Sequence, residues 1–300
     1  MIKRLYVKED FTKVRQFLID AYGDYDVSCN WCIERLNFAF SVASHMNDGL
    51  DFMYDTIMLW EKDNNILAIV INEGEMGGEV FFLFRKGVMN EALLLEMFEH
   101  AESTSFMMKD QKKYIRLMIP EPFTKMTDMA LSRDYKQCDW VDHQTVILGN
   151  VKVTKALPEG FTYATGLEVS PKKVATARSL AFGYDADKAL VEKSITSIEL
   201  MRTMPDYDSY TDMYILSPDG DVAAFACLWF DPINKLGLLE PLGTVPKYRR
   251  MGLASIVLHE ANRRVIEKGA VKCYGGDQKF YYDIGYESEV VWVPFEKVYD

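Results

Sequence analysis

At 300 residues the chain is long enough for two ordinary domains or one large one, and 49% hydrophobic with 26% charged residues marks it as globular. A net charge of -11 argues against a nucleic-acid partner, which needs a basic face, and weakly favours a cationic small substrate. No run approaches the ~18 uninterrupted apolar residues of a membrane span. The opening "MIKRLYVKED" has no apolar core of a signal peptide, so the expectation is a cytoplasmic protein with no membrane partner.

In chain order, the spacing first predicts a helix within 7–23, "VKEDFTKVRQFLIDAYG". The next feature is "CNWC" at 29–32, a C-x-x-C between an acidic turn and the helical-looking "IERLNFAFSVA". A redox pair wants a strand before it, and a zinc site wants a second pair of ligands. Neither is there, so Cys29 and Cys32 read as structural. With Cys138, Cys227 and Cys273 they form an odd, scattered set suited to a reducing compartment. No metal is expected.

Residues 57–71, "IMLWEKDNNILAIVI", read as strand, polar turn, strand. "VFFLFRKGVMNEALLLEMFEHAE" follows as a strand running into a helix, and 129–148 as a short helix leading into a late strand. These elements then recur. "LEVSPKKVATARSLAFGY" (167–184) echoes the first helix and "MYILSPDGDVAAFACLW" (213–229) echoes the hairpin; "QKFYYDIGYESEVVWVPF" (278–295) echoes the late helix and strand. The seam is "GNVKVTKALPEG" at 149–160. The expectation is therefore two copies of one α+β unit, residues 1–152 and 153–300, each a mixed, mostly antiparallel twisted sheet flanked by helices. The acidity lies mainly in the first: residues 1–150 hold 16 Lys and Arg against 24 Asp and Glu.

In the second copy, helices are predicted within 170–183, 185–203, 250–268 and 278–284. Strands are predicted at 161–165, 211–216, 221–230, 236–245, 271–275 and 287–298. The 250–268 helix carries a broad apolar stripe and ends at Gly269, a C-cap residue. Its entry, "TVPKYRRMGLA" at 244–254, concentrates cations, a proline and a glycine where a strand becomes a helix. The first amides of a helix have no intrahelical partner, and with the helix dipole they form an anion site. Gly252 lets an anion approach the backbone. The junction has the chemistry of a pyrophosphate cradle, built from the N–H groups of Arg250, Met251, Gly252, Leu253, Ala254 and Ser255.

"VPKYRRMGLASIVL" resembles motif A of the GCN5-related N-acetyltransferases (GNAT), V-x-P-x-x-R/Q-x-x-G-x-G/A, with Arg249, Gly252 and Ala254 in register and Val245 at the strand end. "FYYDIGYE" (280–287) resembles the family's later L-Y-x-x-x-G-F motif, with Tyr281 at the tyrosine and Gly285-Tyr286 at the Gly-Phe. The likeness is specific over 211–288 and topological over 1–150, and it is to tandem members with a degenerate first copy. Where the family often has Asn and Ala before the tyrosine, this chain has "YGGDQK", making Asp277 or Gln278 stand-ins near the pantetheine. The first copy keeps Arg85 and Gly87 but no R-x-x-G-x-G/A, so only the second is expected to hold acetyl-CoA.

The resemblance implies acetyl transfer from acetyl-CoA to an amine by direct attack. Tyr281 is the expected acid for the departing thiolate, and Glu240 is the base, a structural carboxylate or a contact to the substrate amine. A backbone N–H near Thr244 or Val245 would receive the carbonyl oxygen. Pro241 and Gly243 suggest a bulge that opens this backbone. His259, Arg263 and Arg264 read as surface or core-edge residues. The expected partner is a small, cationic amine, a polyamine or aminoglycoside by charge alone, with the oligomeric state left open. A non-catalytic acyl-CoA-binding regulator and a peptide or protein acetyltransferase are the alternatives.

Overall fold

Asp63 and Asn64 both take left-handed φ, 52° and 65°. This is the twist of a tight hairpin, and it pairs Met58–Lys62 antiparallel with Asn65–Ile71. A computed structural model describes residues 1–74 and 79–299 of the chain. The chain divides into two compact units, and their boundaries are not the contiguous halves expected above.

The first unit comprises 1–32, 47–144 and the segment from Glu289 onward. Its sheet runs in the order Ile2–Leu5, Met58–Lys62, Asn65–Ile71, Glu79–Phe84, Lys112–Pro120, Glu287–Val298. The Glu79–Phe84 and Lys112–Pro120 strands are parallel, joined by the Glu91–Thr104 helix. The other neighbours on this path are antiparallel. Burial of Trp60, Phe81, Phe82, Phe84 and Phe98 makes an aromatic core, with Phe82 edge-on to Phe98 at 5.1 Å.

The second unit comprises 33–46 and 145–288. Its sheet order is 145–147, Lys272–Gly275, Leu236–Thr244, Val222–Asp231, Asp212–Leu216, Thr162–Thr165. Leu236–Thr244 is parallel to Lys272–Gly275, but the pairing covers only Leu236 to Leu238 against Lys272 to Tyr274. Beyond that point the two strands part. The connecting helix, Leu253–Glu267, buries Ile256, Val257, Leu258, Ala261 and Val265, the stripe read from the sequence.

Edge satisfaction explains the altered boundaries. In each unit the second parallel strand would leave a row of unpaired backbone groups. Residues 145–147 cover that edge in the second unit, and the C-terminal strand covers it in the first. The 149–160 seam likewise packs on the second unit: the Lys152 amide donates to Ile284 O at 3.0 Å.

Two helix boundaries also differ. The expected 250–268 helix begins only at Leu253, after a 3-10 turn at Pro246–Tyr248, because Arg250 and Gly252 have φ of 66° and 86°. The expected 185–203 helix is Lys188–Met201, set by Asp187, whose carboxylate accepts from the Ala189 and Leu190 amides at 2.9 and 3.1 Å. No helix among the described residues is long and apolar enough to cross a membrane.

Candidate active site

The cradle is built by two left-handed residues with Met251 between them. Such reversals turn successive N–H groups toward a common concavity. The first intrahelical bond, Ile256 N–H to Gly252 O at 3.2 Å, leaves the amides of Leu253, Ala254 and Ser255 without helix acceptors. No side chain caps this helix start. Arg249 does not point its charge into the loop: Nε donates to Thr244 O at 3.2 Å and Nη2 to Ala181 O at 2.8 Å. It ties the strand end to the Pro171–Phe182 helix. A residue the sequence reading missed completes the loop. Lys155, from the seam, lays its stem over Gly252 and donates from Nζ to Arg250 O at 3.0 Å. A Cβ at position 252 would come within 3.0 Å of Lys155 Cδ. No pattern in the sequence pairs positions 155 and 250.

A cleft of about 710 Å³ runs from this loop along the parted strands, lined by Phe182, Leu242, Gly243, Thr244, Gln278 and Phe280 among others. The open edge of Leu236–Thr244 forms one wall. Val245 does not serve it, because its amide donates to Ala223 O at 3.0 Å inside the sheet. Strand alternation then turns the Thr244 and Leu242 amides to the open side. Of the two amides expected to receive the carbonyl oxygen, that of Val245 is engaged in the sheet, while those of Thr244 and Leu242 lie on the unpaired side.

The bulge expected at Pro241 is present. Leu239 pairs with Leu228 and Leu242 with Ala226, so two residues oppose Cys227. Glu240 is one of them, its backbone O accepting from Trp229 Nε1 at 2.8 Å. A bulge re-aims side chains, and here it brings Glu240 within electrostatic reach of two ionisable groups. One is Tyr281, on the short Lys279–Asp283 helix. The other is Glu34, on the Ile33–Phe38 helix, which packs against the bulged strand.

Tyr281 is buried, its ring edge-on to Tyr286 at 5.4 Å and pressed against the Gly275-Gly276 backbone. A Cβ on either glycine would lie 2.9 Å or less from that ring. This is the physical reason for "YGGDQK". Burial, then the charge of Glu240, hold the phenol well above its ordinary pKa. It stays protonated at neutral pH, as an acid must.

Glu34 lies two residues beyond the C-x-x-C, in a stretch the sequence reading left structural. Burial is the main cause that pushes its carboxyl up to about 7, with Glu240 adding to the rise. Its Oε2 is sealed from solvent and accepts no hydrogen bond. Cys29 and Cys32 are buried thiols, and burial raises that of Cys29 to about 11, against the low pKa of a redox cysteine. His259 is structural, its Nδ1 3.1 Å from Val151 O. Arg263 and Arg264 are held by Glu260, at 2.7 and 2.8 Å, rather than simply solvated.

The acetyltransferase (GNAT) family model matches residues 186–286, the stretch that contains the bulged strand, cradle and Tyr281. Residues 186–286 are a GNAT acetyltransferase domain. Solved structures extend the fold likeness to the whole chain. A GCN5-related N-acetyltransferase from Sphaerobacter thermophilus aligns over 99% of this chain and 95% of its own, with TM-score 0.62 and 16% identity. A tandem GNAT protein from the clavulanic acid biosynthesis pathway aligns over 99% and 98%, with TM-score 0.62 and 11% identity. An acetyltransferase of the GNAT family from Colwellia psychrerythraea aligns over 99% of both, with TM-score 0.56 and 12% identity. A search of curated protein sequences finds no match. GNAT enzymes use acetyl-CoA, and the uncapped amides at Gly252, with a cleft leading from them, fit that group. No cluster of three or more metal-ligating side chains occurs among the described residues.

Proposed function

We propose that the GNAT domain transfers the acetyl group of acetyl-CoA to the primary amine of a small molecule by direct attack. The observation that carries this reading is the side-chain-free helix start at Gly252 opening into a cleft along Leu242 to Thr244, whose far wall includes Phe280, the helix neighbour of Tyr281, with Glu240 in electrostatic reach of that phenol. The pyrophosphate would sit on the amides of Leu253 to Ser255, with Lys155 as the nearby cation. The Thr244 and Leu242 amides would receive the thioester oxygen as it gains charge. Glu240, directly or through Glu34, would take the proton from the attacking nitrogen. Tyr281 would give one to the sulfur as the carbon–sulfur bond breaks. The products are an N-acetyl amide and the free thiol of CoA.

The acceptor side supports a small molecule over an extended peptide. Glu34 Oε2 is sealed from solvent, and so are Nε and Nη1 of Arg178, which packs on Phe38 of the same helix as Glu34. The titratable groups around Glu240 thus face the protein interior and not the open surface on which an extended peptide would lie. The test is release of free thiol from acetyl-CoA over a panel of small amines, with Tyr281→Phe alongside. The variant is expected to bind acetyl-CoA as before and to lose about a hundredfold or more in kcat, the usual contribution of a positioned acid. Acetyl-CoA that stabilises the protein thermally but yields no thiol with any amine would overturn the enzymatic reading in favour of a binding protein.

A further inference from the structure

Two arginines of the second unit, Arg178 buried and Arg202 partly buried, keep donors that the fold alone leaves unmatched. Arg178 lies on the Pro171–Phe182 helix and is 5% exposed, yet its Nε and Nη1 are sealed from solvent and have no hydrogen-bond partner. The guanidinium lies 5.6 Å from the Phe38 ring centroid and 6.0 Å from that of Phe182. Arg202 has the same fault at Nε and Nη2, with its side chain 17% exposed. An unsatisfied buried donor costs about 1–3 kcal/mol, more when charged. The carboxylate between them is Asp212, whose Oδ2 lies 3.9 Å from Arg202 Nη2. That oxygen already accepts from the Tyr207 and Tyr214 hydroxyls at 2.7 and 2.8 Å. Burial moreover pushes the Asp212 carboxyl up, which weakens it further as a counter-ion. At Asp212 one carboxylate faces two guanidinium groups.

The helical spacing connects these donors to the site. Arg178 and Phe182 are four residues apart and share a face, and Phe182 lines the acetyl-CoA cleft. Glu34 and Phe38 are likewise four apart on their helix, and Phe38 stacks on Arg178. Arg178 and Arg202 are both within electrostatic reach of Cys227, opposite the bulge, and so is Glu240. Behind Phe182 the protein interior thus has a carboxylate side, Glu34 and Glu240, and a guanidinium side, Arg178 and Arg202.

We propose that the acceptor is zwitterionic, a small primary amine that carries a carboxylate, with its nitrogen received by Glu34 and Glu240 and its carboxylate by the unpaired N–H groups of Arg178 and Arg202. This rests on the acetyl-transfer reading and narrows its substrate class to amino-acid-like molecules. It replaces the polyamine or aminoglycoside suggested by net charge. A guanidinium fork matches a planar carboxylate and would satisfy the donors that the fold leaves unmatched.

The experiment compares matched pairs by thiol release: lysine with cadaverine, phenylalanine with phenethylamine, and O-phosphoethanolamine with ethanolamine. For at least one amino acid, kcat/KM should exceed that of its decarboxylated partner by tenfold or more. Arg178→Met should collapse that ratio toward one, and Arg178→Lys, which keeps the charge but not the fork, should lower it in part. Equal or better use of every amine without an anion overturns the inference and leaves acetyl transfer standing. Preference for the phosphate over both carboxylates overturns the carboxylate assignment. If no pair releases thiol, calorimetric binding of the same pairs to the CoA-loaded protein decides. Carboxylate-dependent binding that Arg178→Met abolishes supports the inference although transfer has failed. Binding of neither member of any pair, or of both equally, overturns it.

Discussion

The chain contains two strand-to-helix junctions of the same design, and they differ in how the helix start is closed. In the first unit, Glu79–Phe84 leads to a helix whose start is closed by Asn90, with φ -145° and Oδ1 accepting from Leu93 N–H at 3.1 Å. In the second, Leu236–Thr244 leads to a helix that starts at Gly252, with φ 86° and no capping side chain. The arginine before each helix follows the same division. Arg85 is paired with Asp24 at 2.6 Å, and the Lys86 amide also donates to Asp24. Arg249 braces the strand end and leaves the loop amides open. A capped helix start has spent its donors on its own chain and gains stability; an uncapped one keeps them for an anion. The first unit is thus a folded copy without the cradle.

The most direct way to break this comparison is to exchange the caps. Gly252→Asn puts a side chain that tolerates positive φ into the cradle, so the fold should survive while acetyl-CoA binding falls about a hundredfold or more. The reciprocal Asn90→Ala should leave acetyl-CoA binding unchanged and lower unfolding free energy by about 1 kcal/mol. Calorimetric binding and denaturant melts on both variants read the two effects separately. Tight acetyl-CoA binding by Gly252→Asn would show that the amides are not the ligands.

A second contrast lies in how carboxylates are used. Asp24 in the first unit is held below its ordinary range by Arg85, whereas Glu34 in the second is pushed up to about 7, chiefly by burial. A carboxyl raised by folding favours the protonated native state, so native stability is present below the unfolded pKa. It is lost as pH rises from about 4.5 toward about 7. Glu34→Gln should therefore match wild type near pH 4 and exceed it at pH 8 by on the order of 1–3 kcal/mol. The same variant should flatten any rise of kcat/KM with pH through about 7. Equal melting of the two proteins at pH 8 would mean that Glu34 is solvated and ordinary.

Which of these features were legible in the sequence follows from the range of the interactions. The cradle, the bulge at Pro241 and the Tyr281 motif are local: turn chemistry, strand exit and glycine spacing encode them within ten residues. Glu34 is not, because "CNWCIERL" acquires its meaning only when its helix packs on a strand two hundred residues later. Arg178 reads in the sequence as an ordinary helix residue, and only burial without partners marks it. The unit boundaries were misread for a related reason, since edge pairing by 145–147 and by the last strand is a property of the sheets, not of the seam's composition.

Lys155 gives the smallest expected effect and the finest test of the cradle. Its ammonium donates to Arg250 O, and its stem lies over Gly252, so it occupies the mouth of the loop. As an exposed cation beside a bound anion it should add only about 0.2–1 kcal/mol, screened by salt. Lys155→Ala is thus expected to weaken acetyl-CoA binding two- to fivefold at low ionic strength and hardly at all in high salt. Removing its stem also exposes the backbone of a left-handed glycine, without altering the amides themselves. A loss as large as that of Gly252→Asn would shift the weight of recognition from backbone to side-chain charge. An increase in affinity would identify Lys155 as a plug that acetyl-CoA must displace, a reversible closure where Asn90 closes the corresponding helix start of the first unit for good.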